Sequence, residues 1–258
     1  MKLWLKIQSV VILALFVAAG SAFADRLSLK ATVSSANGQV EWLKAGSTSW
    51  QPVSANQQLE SGDQIRTGKD GEATLTMEDG TKLQLFAGSE FTVQSLAKDT
   101  QANSLESIMA LSKGKIQADV TPRQEGSTFE IETPYFVTVV KGTSYSIFTN
   151  PDGSVNVKSG NGAVDLVREG EIKFLTNLDD GDEAKVENDA SAGTIRITGI
   201  AGSFTVTGPD GTVYNVNPGD VVVLNAGAAT FIALGGETNN PGSIAAIGEV
   251  LSAPLSAS

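Results

Sequence analysis

Carboxylates and aromatic side chains are the groups in this chain that could support chemistry, because the sequence contains no His and no Cys. That composition removes most nucleophile–base pairs, redox motifs and zinc sites. The densest carboxylate cluster is residues 179–183 (DDGDE), and paired carboxylates can serve glycoside hydrolysis. The cluster lacks the spacing of a calcium loop and is better explained as a solvated Gly-Asp turn. We therefore predict a protein that is not an enzyme, with no catalytic residue, no metal site and no cofactor.

Two further groups of residues have binding chemistry. Trp42 and Trp50 could stack on sugars, although packing in the core or against a turn is the favoured role for such aromatics. The segments Arg66-Thr67 and Lys141-Gly142-Thr143 could form a binding site. We favour a structural role for both, in which a glycine bends the backbone and the basic residue pairs with a nearby Asp. The binding residues remain unassigned.

These side chains must be positioned by β-strands. Residues 133–167 contain four short runs rich in Val, Ile, Tyr, Phe and Thr, separated by Gly-containing turns. Residues 73–85 give the clearest hairpin, with apolar and polar side chains in alternation on both sides of Asp79-Gly80. We predict an all-β fold whose short antiparallel or solenoid-like strands form an elongated β sandwich or a β-solenoid-like domain.

Some segments allow more than one prediction. Residues 104–112 (SLESIMALS) suit a capped helix or a buried strand, and residues 94–104 and 59–67 read as loops. Gly62-Asp63, Gly181-Asp182 and Gly219-Asp220 form a weak repeat. Such corners are typical of β-solenoid rungs and also of ordinary hairpin turns.

The amino-terminal segment has the features of a cleaved signal peptide. Lys2 and Lys6 precede an apolar run over residues 10–19, and Ala22-Phe23-Ala24 forms a small-x-small cleavage site. The run is shorter than the about 20 apolar residues that a membrane helix needs. We expect a mature chain from Asp25 with no membrane span. Export combined with the lack of cysteine favours the periplasm of a Gram-negative cell, or secretion.

The charge balance limits the choice of partner. The chain has 18 Lys+Arg and 29 Asp+Glu, and removal of Lys2 and Lys6 leaves 16 against 29, a net charge of −13. Such a surface repels the phosphates of nucleic acids and of anionic lipids. We therefore expect no nucleic-acid partner.

A series of short motifs runs along residues 33–186: Gly38-x-Val40, Trp50-x-Pro52-Val53, Leu59-x-x-Gly62-Asp63-x-Ile65-Arg66-Thr67, Gly71-x-Ala73-x-Leu75, Asp79-Gly80-Thr81-x-Leu83, Gly114-x-Ile116, Thr133-Pro134 and Val139-Val140-Lys141-Gly142-Thr143-x-Tyr145. In this order and spacing the motifs resemble the FecR domain, the periplasmic module of iron-dicitrate sensor regulators. The resemblance favours the strand prediction for residues 104–112, and it implies no catalytic residues.

Two features depart from the family pattern. Lys141 stands where the family usually has Arg, which keeps the charge but loses a planar bidentate donor. Only nine residues precede the apolar run, so we expect a stand-alone exported domain without the anti-sigma segment of the membrane-bound members.

The predicted organisation is a signal peptide (residues 1–24), a FecR-like β domain (25–187), a second β block (188–236) and a flexible tail (237–258). Whether the second block is a separate domain or a continuation of the first is left open. We expect a protein-interaction or sensing module of the cell envelope, with another envelope protein as the partner. The alternative is a module that binds polysaccharide or cell wall.

Overall fold

A computed structural model of the chain describes residues 26–233 and 243–245, and all regular elements in these ranges are β-strands. The all-β prediction is confirmed. In chain order the strands are β1 (Arg26–Ser28), β2 (Ala31–Asn37), β3 (Val40–Leu43), β4 (Gln51–Pro52), β5 (Gln58–Leu59), β6 (Gln64–Thr67), β7 (Glu72–Met77), β8 (Lys82–Leu85), β9 (Glu90–Asp99), β10 (Ser104–Lys113), β11 (Lys115–Asp119), β12 (Thr128–Glu132), β13 (Val137–Val140), β14 (Ser144–Thr149), β15 (Val155–Asn161), β16 (Val164–Arg168), β17 (Phe174–Leu178), β18 (Glu183–Asp189), β19 (Thr194–Ala201), β20 (Phe204–Thr207), β21 (Val213–Val216), β22 (Val221–Asn225), β23 (Ala228–Ala233) and β24 (Ser243–Ala245).

The predicted signal peptide lies outside the described residues, and so does the predicted tail apart from β24. Within residues 26–233 and 243–245, no helix is long and apolar enough to cross a membrane.

The strands form two sheets of 12 strands each. Sheet A has the order β21-β20-β17-β16-β13-β12-β10-β9-β6-β3-β4, and β1 pairs with β9. Sheet B has the order β24-β23-β22-β19-β18-β15-β14-β11-β8-β7-β2-β5. Most neighbours are antiparallel, whereas β10–β12 and β23–β24 are parallel. From β12 to β23 the chain places two strands in sheet A and then two in sheet B, so both sheets grow in the same direction.

Along most of the strands every second residue is buried, and these residues form the core. In β7, Ala73, Leu75 and Met77 are buried and Thr74 and Thr76 are not, as the hairpin pattern predicts. The same alternation continues through both sheets, and their buried faces contribute to one core cluster. The fold is therefore the sandwich form of the predicted architecture, with each sheet presenting one face to the core and the other to solvent.

Tyr145 connects the two sheets inside the core. Its side chain projects from β14 in sheet B and is 2% exposed. Its hydroxyl lies 3.0 Å from Thr138 Oγ1 on β13 in sheet A. Burial raises the pKa of the Tyr145 phenol, and the hydrogen bond to Thr138 opposes this change. The ring fills core volume while the hydroxyl has a partner, as buried tyrosines require.

The predicted loop at residues 94–104 is wrong over residues 94–99, and only residues 100–103 form a turn. Strand β9 continues to Asp99 and pairs with β10 on one side and β1 on the other. Leu96 and Ala97 are consecutive buried residues beside a shift in register, so the segment loses the simple alternation that identifies a strand in a sequence. The loop predicted at residues 59–67 is shorter than expected, because β6 begins at Gln64.

The ambiguous segment at residues 104–112 is a strand, as the family resemblance favoured. It forms β10 between β9 and β12 in sheet A. Met109 and Leu111 are buried, which is the two-residue spacing of a strand.

Both sheets pass through the predicted boundary at residue 187. In sheet B, Val186 of β18 is paired with Val155 on one side and Ile197 on the other. In sheet A, β17 pairs with β20. The division into a FecR-like domain and a second block remains a prediction, although strands on both sides of it share the same sheets.

Candidate interaction surface

The three Gly-Asp pairs of the weak repeat form the same turn. In each one the Asp backbone N–H donates to the carbonyl oxygen three residues earlier at 3.0 Å, and the glycine has a φ between 85 and 92°. The buried Asp carboxylate then accepts the N–H of that earlier residue. These bonds run from Glu60 to Asp63, from Asp179 to Asp182 and from Asn217 to Asp220. The aspartates therefore hold corners of the sandwich, and this role accounts for part of the acidic cluster at residues 179–183.

The carboxylates of the described residues are spread over many turns and strands. No group of three or more Asp or Glu side chains in residues 26–233 and 243–245 has a geometry that could hold a metal ion.

The candidate binding aromatics are engaged in packing. Trp42 is partly buried against the core cluster. The Arg66 guanidinium lies 4.2 Å from the centre of the Trp50 ring, and Arg66 Nη2 lies 2.8 Å from Glu41 Oε2. The acidic partner of Arg66 is thus a glutamate rather than the expected aspartate. The aromatic, the cation and the carboxylate support one another at the β3–β6 end of sheet A.

The Lys141-Gly142-Thr143 segment has a structural role in its backbone. The Lys141 carbonyl accepts the N–H of Arg123 at 2.9 Å, and Thr143 Oγ1 donates to the Ala163 carbonyl at 2.9 Å. The Lys141 side chain is exposed. The segment therefore joins three connections of the sandwich and brings Arg123 to its position.

Arg123 is a buried cation that no sequence pattern singles out, because it lies in a polar break after Pro122. Its side chain is 2% exposed, and Nη2 lies 2.7 Å from Asp79 Oδ2. Nη1 donates to Ser107 Oγ at 3.0 Å and to the Thr128 carbonyl at 2.6 Å. Burial lowers the pKa of Arg123 while Asp79 opposes this change, and an arginine in this setting stays charged.

The solvent faces of the two sheets differ in chemistry. Residues directly opposite on neighbouring strands share a face, so the pairing registers identify rows of side chains across each sheet. One row across five strands of sheet B, from β8 to β18, is polar: Gln84, Gln117, Ser146, Lys158 and Glu183. A row across sheet A begins at Glu132 of β12 and continues through Val137, Val167, Leu175, Thr207 and Val213.

We call the last five of these residues the apolar row. It runs from β13 across β16, β17 and β20 to β21, which is the terminal strand of sheet A in the described residues. Leu175 is 45% exposed and Val213 is 49% exposed, and the other members are half-buried. Four of its five members are apolar and Thr207 lies between Leu175 and Val213, so the row is a mainly apolar stripe on the solvent-facing side of sheet A.

An open cavity of about 250 Å³ lies beside the Glu132 end of the apolar row. Its lining includes Tyr135, Val137, Val167 and Glu169. Arg168 also lines it, and Arg168 Nη1 donates to the Tyr135 carbonyl at 2.8 Å, which fixes the connection between β12 and β13 against β16. The cavity and the row share two valines and form one surface.

Carboxylates border this surface. The next row of sheet A begins with Glu130, Val139 and Asp165, while Asn177 Nδ2 donates to Asp165 Oδ1 at 2.7 Å. Glu130 has a raised pKa because of partial burial and because Glu132 and Glu106 add negative charge nearby. The ionised form of Glu130 is thus less stable in the folded protein than in water.

Replacement of Glu130 by Gln should stabilise the protein at neutral pH. An acid with a raised folded-state pKa opposes folding when it ionises, so its penalty is absent at low pH and develops as the pH rises through the folded pKa. For this partly exposed group we expect a gain of about 0.5 kcal/mol, or about 1–2 °C in Tm. Thermal unfolding at pH 7 and pH 4 should show the gain at pH 7 only. Glu169→Gln serves as the exposed control, and an equal gain at both pH values would contradict the prediction.

The sheet edges also differ. Strands β4 and β5 end sheets A and B on one side, and each has only two residues, with Pro52 in β4. On the other side, β21 ends sheet A with the uncharged sequence Val-Tyr-Asn-Val. Short strands and prolines protect an edge from pairing with another chain, and charged side chains do the same. Among the described edges, β21 combines four residues with none of these protections in the strand itself.

The sequence contains a signal for this surface. Val137, Val139 and Val140 place apolar side chains on both faces of one strand, and Leu175 follows Phe174 in the same way. A strand that is apolar on both faces predicts a second contact besides the core.

Parts of this chain are similar to known proteins. Two crystal structures of a candidate anti-sigma factor from Parabacteroides distasonis ATCC 8503, at 2.50 Å and 1.65 Å resolution, are similar to the chain. Each is 18% identical, with TM-scores of 0.40 and 0.39, and the alignment covers 60% of this chain and 60% of that one. None of the curated proteins that were compared matches the chain. The family described as "FecR protein" matches residues 63–165, which confirms over that span the resemblance seen in the motifs.

Proposed function

We propose that this protein is a non-enzymatic interaction or sensing module of the cell envelope, which acts by binding another envelope protein after export and removal of residues 1–24. The FecR match at residues 63–165 supports an envelope role with a protein partner. The resemblance to this family implies contacts rather than catalysis. The strong negative charge of the chain favours neither nucleic acid nor anionic lipid as the partner.

The observation that carries the proposal is the β21 end of sheet A, where β21 is the terminal strand within residues 26–233 and 243–245. Strand β21 is uncharged, and beside it the apolar row exposes Leu175 and Val213. An extended segment of a partner can pair with such an edge through its backbone and place alternate side chains on the adjacent face. Exposed apolar patches on a sheet that is otherwise polar are typical of protein-binding sites.

Crosslinking in cells tests the proposal. The mature chain from Asp25 would be expressed with its signal peptide, crosslinked in the envelope and purified, and the bound material identified by mass spectrometry. We expect one dominant envelope protein. Recovery of glycan alone would contradict the proposal and favour the polysaccharide-binding alternative. In that case Trp42→Ala and Trp50→Ala should weaken glycan binding by the pure protein.

A further inference from the structure

The structure points to a specific docking surface. We propose that the apolar row and the cavity beside Tyr135 bind one extended polypeptide segment of a partner protein, and that this segment carries apolar side chains together with Lys or Arg. The inference rests on the proposed function and adds to it the chemistry of the partner and a location on the face of sheet A beside β21, where the segment runs across the strands instead of pairing with the edge.

The dimensions suit a single extended segment. The row and the adjoining Glu132 cross six strands, from β12 through β13, β16, β17 and β20 to β21. Five spacings of about 4.8 Å give a length of about 24 Å, which about seven extended residues can cover.

Because the row is mainly apolar, we expect the partner segment to carry apolar side chains. Val137 and Val167 are half-buried, and Leu175 and Val213 are about half exposed, so apolar partner side chains could remove all four from water. The row stands at solvent-facing positions, whereas a row across β8, β11, β14, β15 and β18 of sheet B is polar. A hydrophilic partner would leave these side chains without a complementary surface.

The charges around the row indicate that the partner segment also carries Lys or Arg. Glu132 lies at its end, Glu169 lines the cavity, and Glu130 and Asp165 lie in the adjacent row. The nearby cations are fewer. Arg168 is bonded to the Tyr135 carbonyl, and Lys173 lies two residues before Leu175. A partner with Lys or Arg therefore complements the field of this surface, while an acidic partner is repelled.

The cavity provides a place for one basic side chain. It has room for a long side chain, and its lining includes the carboxylates Glu132 and Glu169 together with Arg168. Two carboxylates against one guanidinium leave the lining net negative, which favours a further cation. The segment is thus expected to place Lys or Arg at the cavity and apolar residues over Val167, Leu175 and Val213.

Defined peptides test this surface on the purified chain from Asp25. The probe is a nine-residue synthetic peptide that alternates Val and Lys, with Val/Glu and Ser/Lys peptides as comparators, measured by fluorescence anisotropy at 0.15 M salt. We expect the Val/Lys peptide to bind at least tenfold more tightly than either comparator. Binding of the Ser/Lys peptide with equal affinity would indicate attraction by net charge alone and overturn the assignment.

Matched variants locate the site. Leu175→Lys should weaken binding of the Val/Lys peptide at least tenfold, and Glu132→Gln with Glu169→Gln should weaken it as well. Ile200→Lys is the control, because Ile200 is 43% exposed on the solvent face of sheet B. Equal binding by the Leu175→Lys and Ile200→Lys proteins would overturn the assignment, provided that both melt within a few degrees of the parent.

Crosslinking of the same two variants separates this inference from the proposed function. Loss of the envelope partner in Leu175→Lys alone supports both. Capture of the partner at equal levels by both variants leaves the proposed function standing and overturns the docking surface. Absence of any dominant protein from the parent and from both variants contradicts the proposed function, and the peptide measurement then decides the surface by itself.

Discussion

Substitution of Arg123 by Met should lower the free energy of unfolding by about 3–5 kcal/mol, the range for breaking one partner of a buried ion pair. Met keeps most of the apolar stem and removes the guanidinium. The Asp79 side chain is 15% exposed and would lose its cation, and the Ser107 hydroxyl and the Thr128 carbonyl would lose a donor. Unsatisfied buried groups carry the full cost of their desolvation. Urea or thermal unfolding measures the loss.

An exposed ion pair gives the matched control. Lys113 Nζ lies 2.8 Å from Glu90 Oε1, and these side chains are 58% and 41% exposed. Lys113→Met should therefore change stability by no more than about 1 kcal/mol. A similar small effect of Arg123→Met would contradict the structural role assigned to Arg123.

The double variant Arg123→Met with Asp79→Asn shows which lost interaction causes the destabilisation. If the loss comes mainly from an unpaired Asp79 charge, the double variant should be more stable than Arg123→Met alone, because the charge has been removed. Asp79 Oδ1 also accepts the Thr81 N–H at 3.0 Å, and an Asn side-chain oxygen can keep this bond. Additive losses would show that Arg123 acts through its other hydrogen bonds.

The fold was predictable where each side chain has one dominant role. In β7 and β8, the core takes every second residue and Asp79-Gly80 forms the turn, so alternation and turn chemistry indicate the same structure. The prediction failed at β9, where a register shift makes Leu96 and Ala97 consecutive buried residues. Local patterns carry no information about a register that is set by the neighbouring strands.

The candidate surface was not predictable as a site because its members are distant in the chain. Val137 and Leu175 stand in strands that are apolar on both faces, but no local pattern links them to each other or to Val213. Only the pairing of β13, β16, β17, β20 and β21 places them in one row. Arg123 is similar, since its burial depends on Asp79, 44 residues earlier. Fold class follows from local periodicity, whereas a surface of this kind requires the sheet order.

Gly142 is a position where an added side chain would meet the backbone of a neighbouring connection. Its φ is 149°, and a Cβ there would lie 2.7 Å from Pro122 Cα and 3.1 Å from Pro122 N. The clash is with the backbone of a proline, which cannot rotate away as a flexible side chain could. The same segment accepts the Arg123 N–H at the Lys141 carbonyl, so a shift here also disturbs the buried ion pair.

Gly142→Val should therefore destabilise the protein by about 3–5 kcal/mol, from about 1–3 kcal/mol of backbone strain and a similar term for the clash. Gly170→Val is the control, because Gly170 has a φ of 100° but nothing within 4 Å of an added Cβ. It should show the strain without the clash, and Gly142→Ala should retain most of the loss because it already has a Cβ. Melting temperatures of the three variants decide the prediction. An unchanged melting temperature for Gly142→Val, or one equal to that of Gly170→Val, would show that Pro122 yields and that the contact does not constrain this turn.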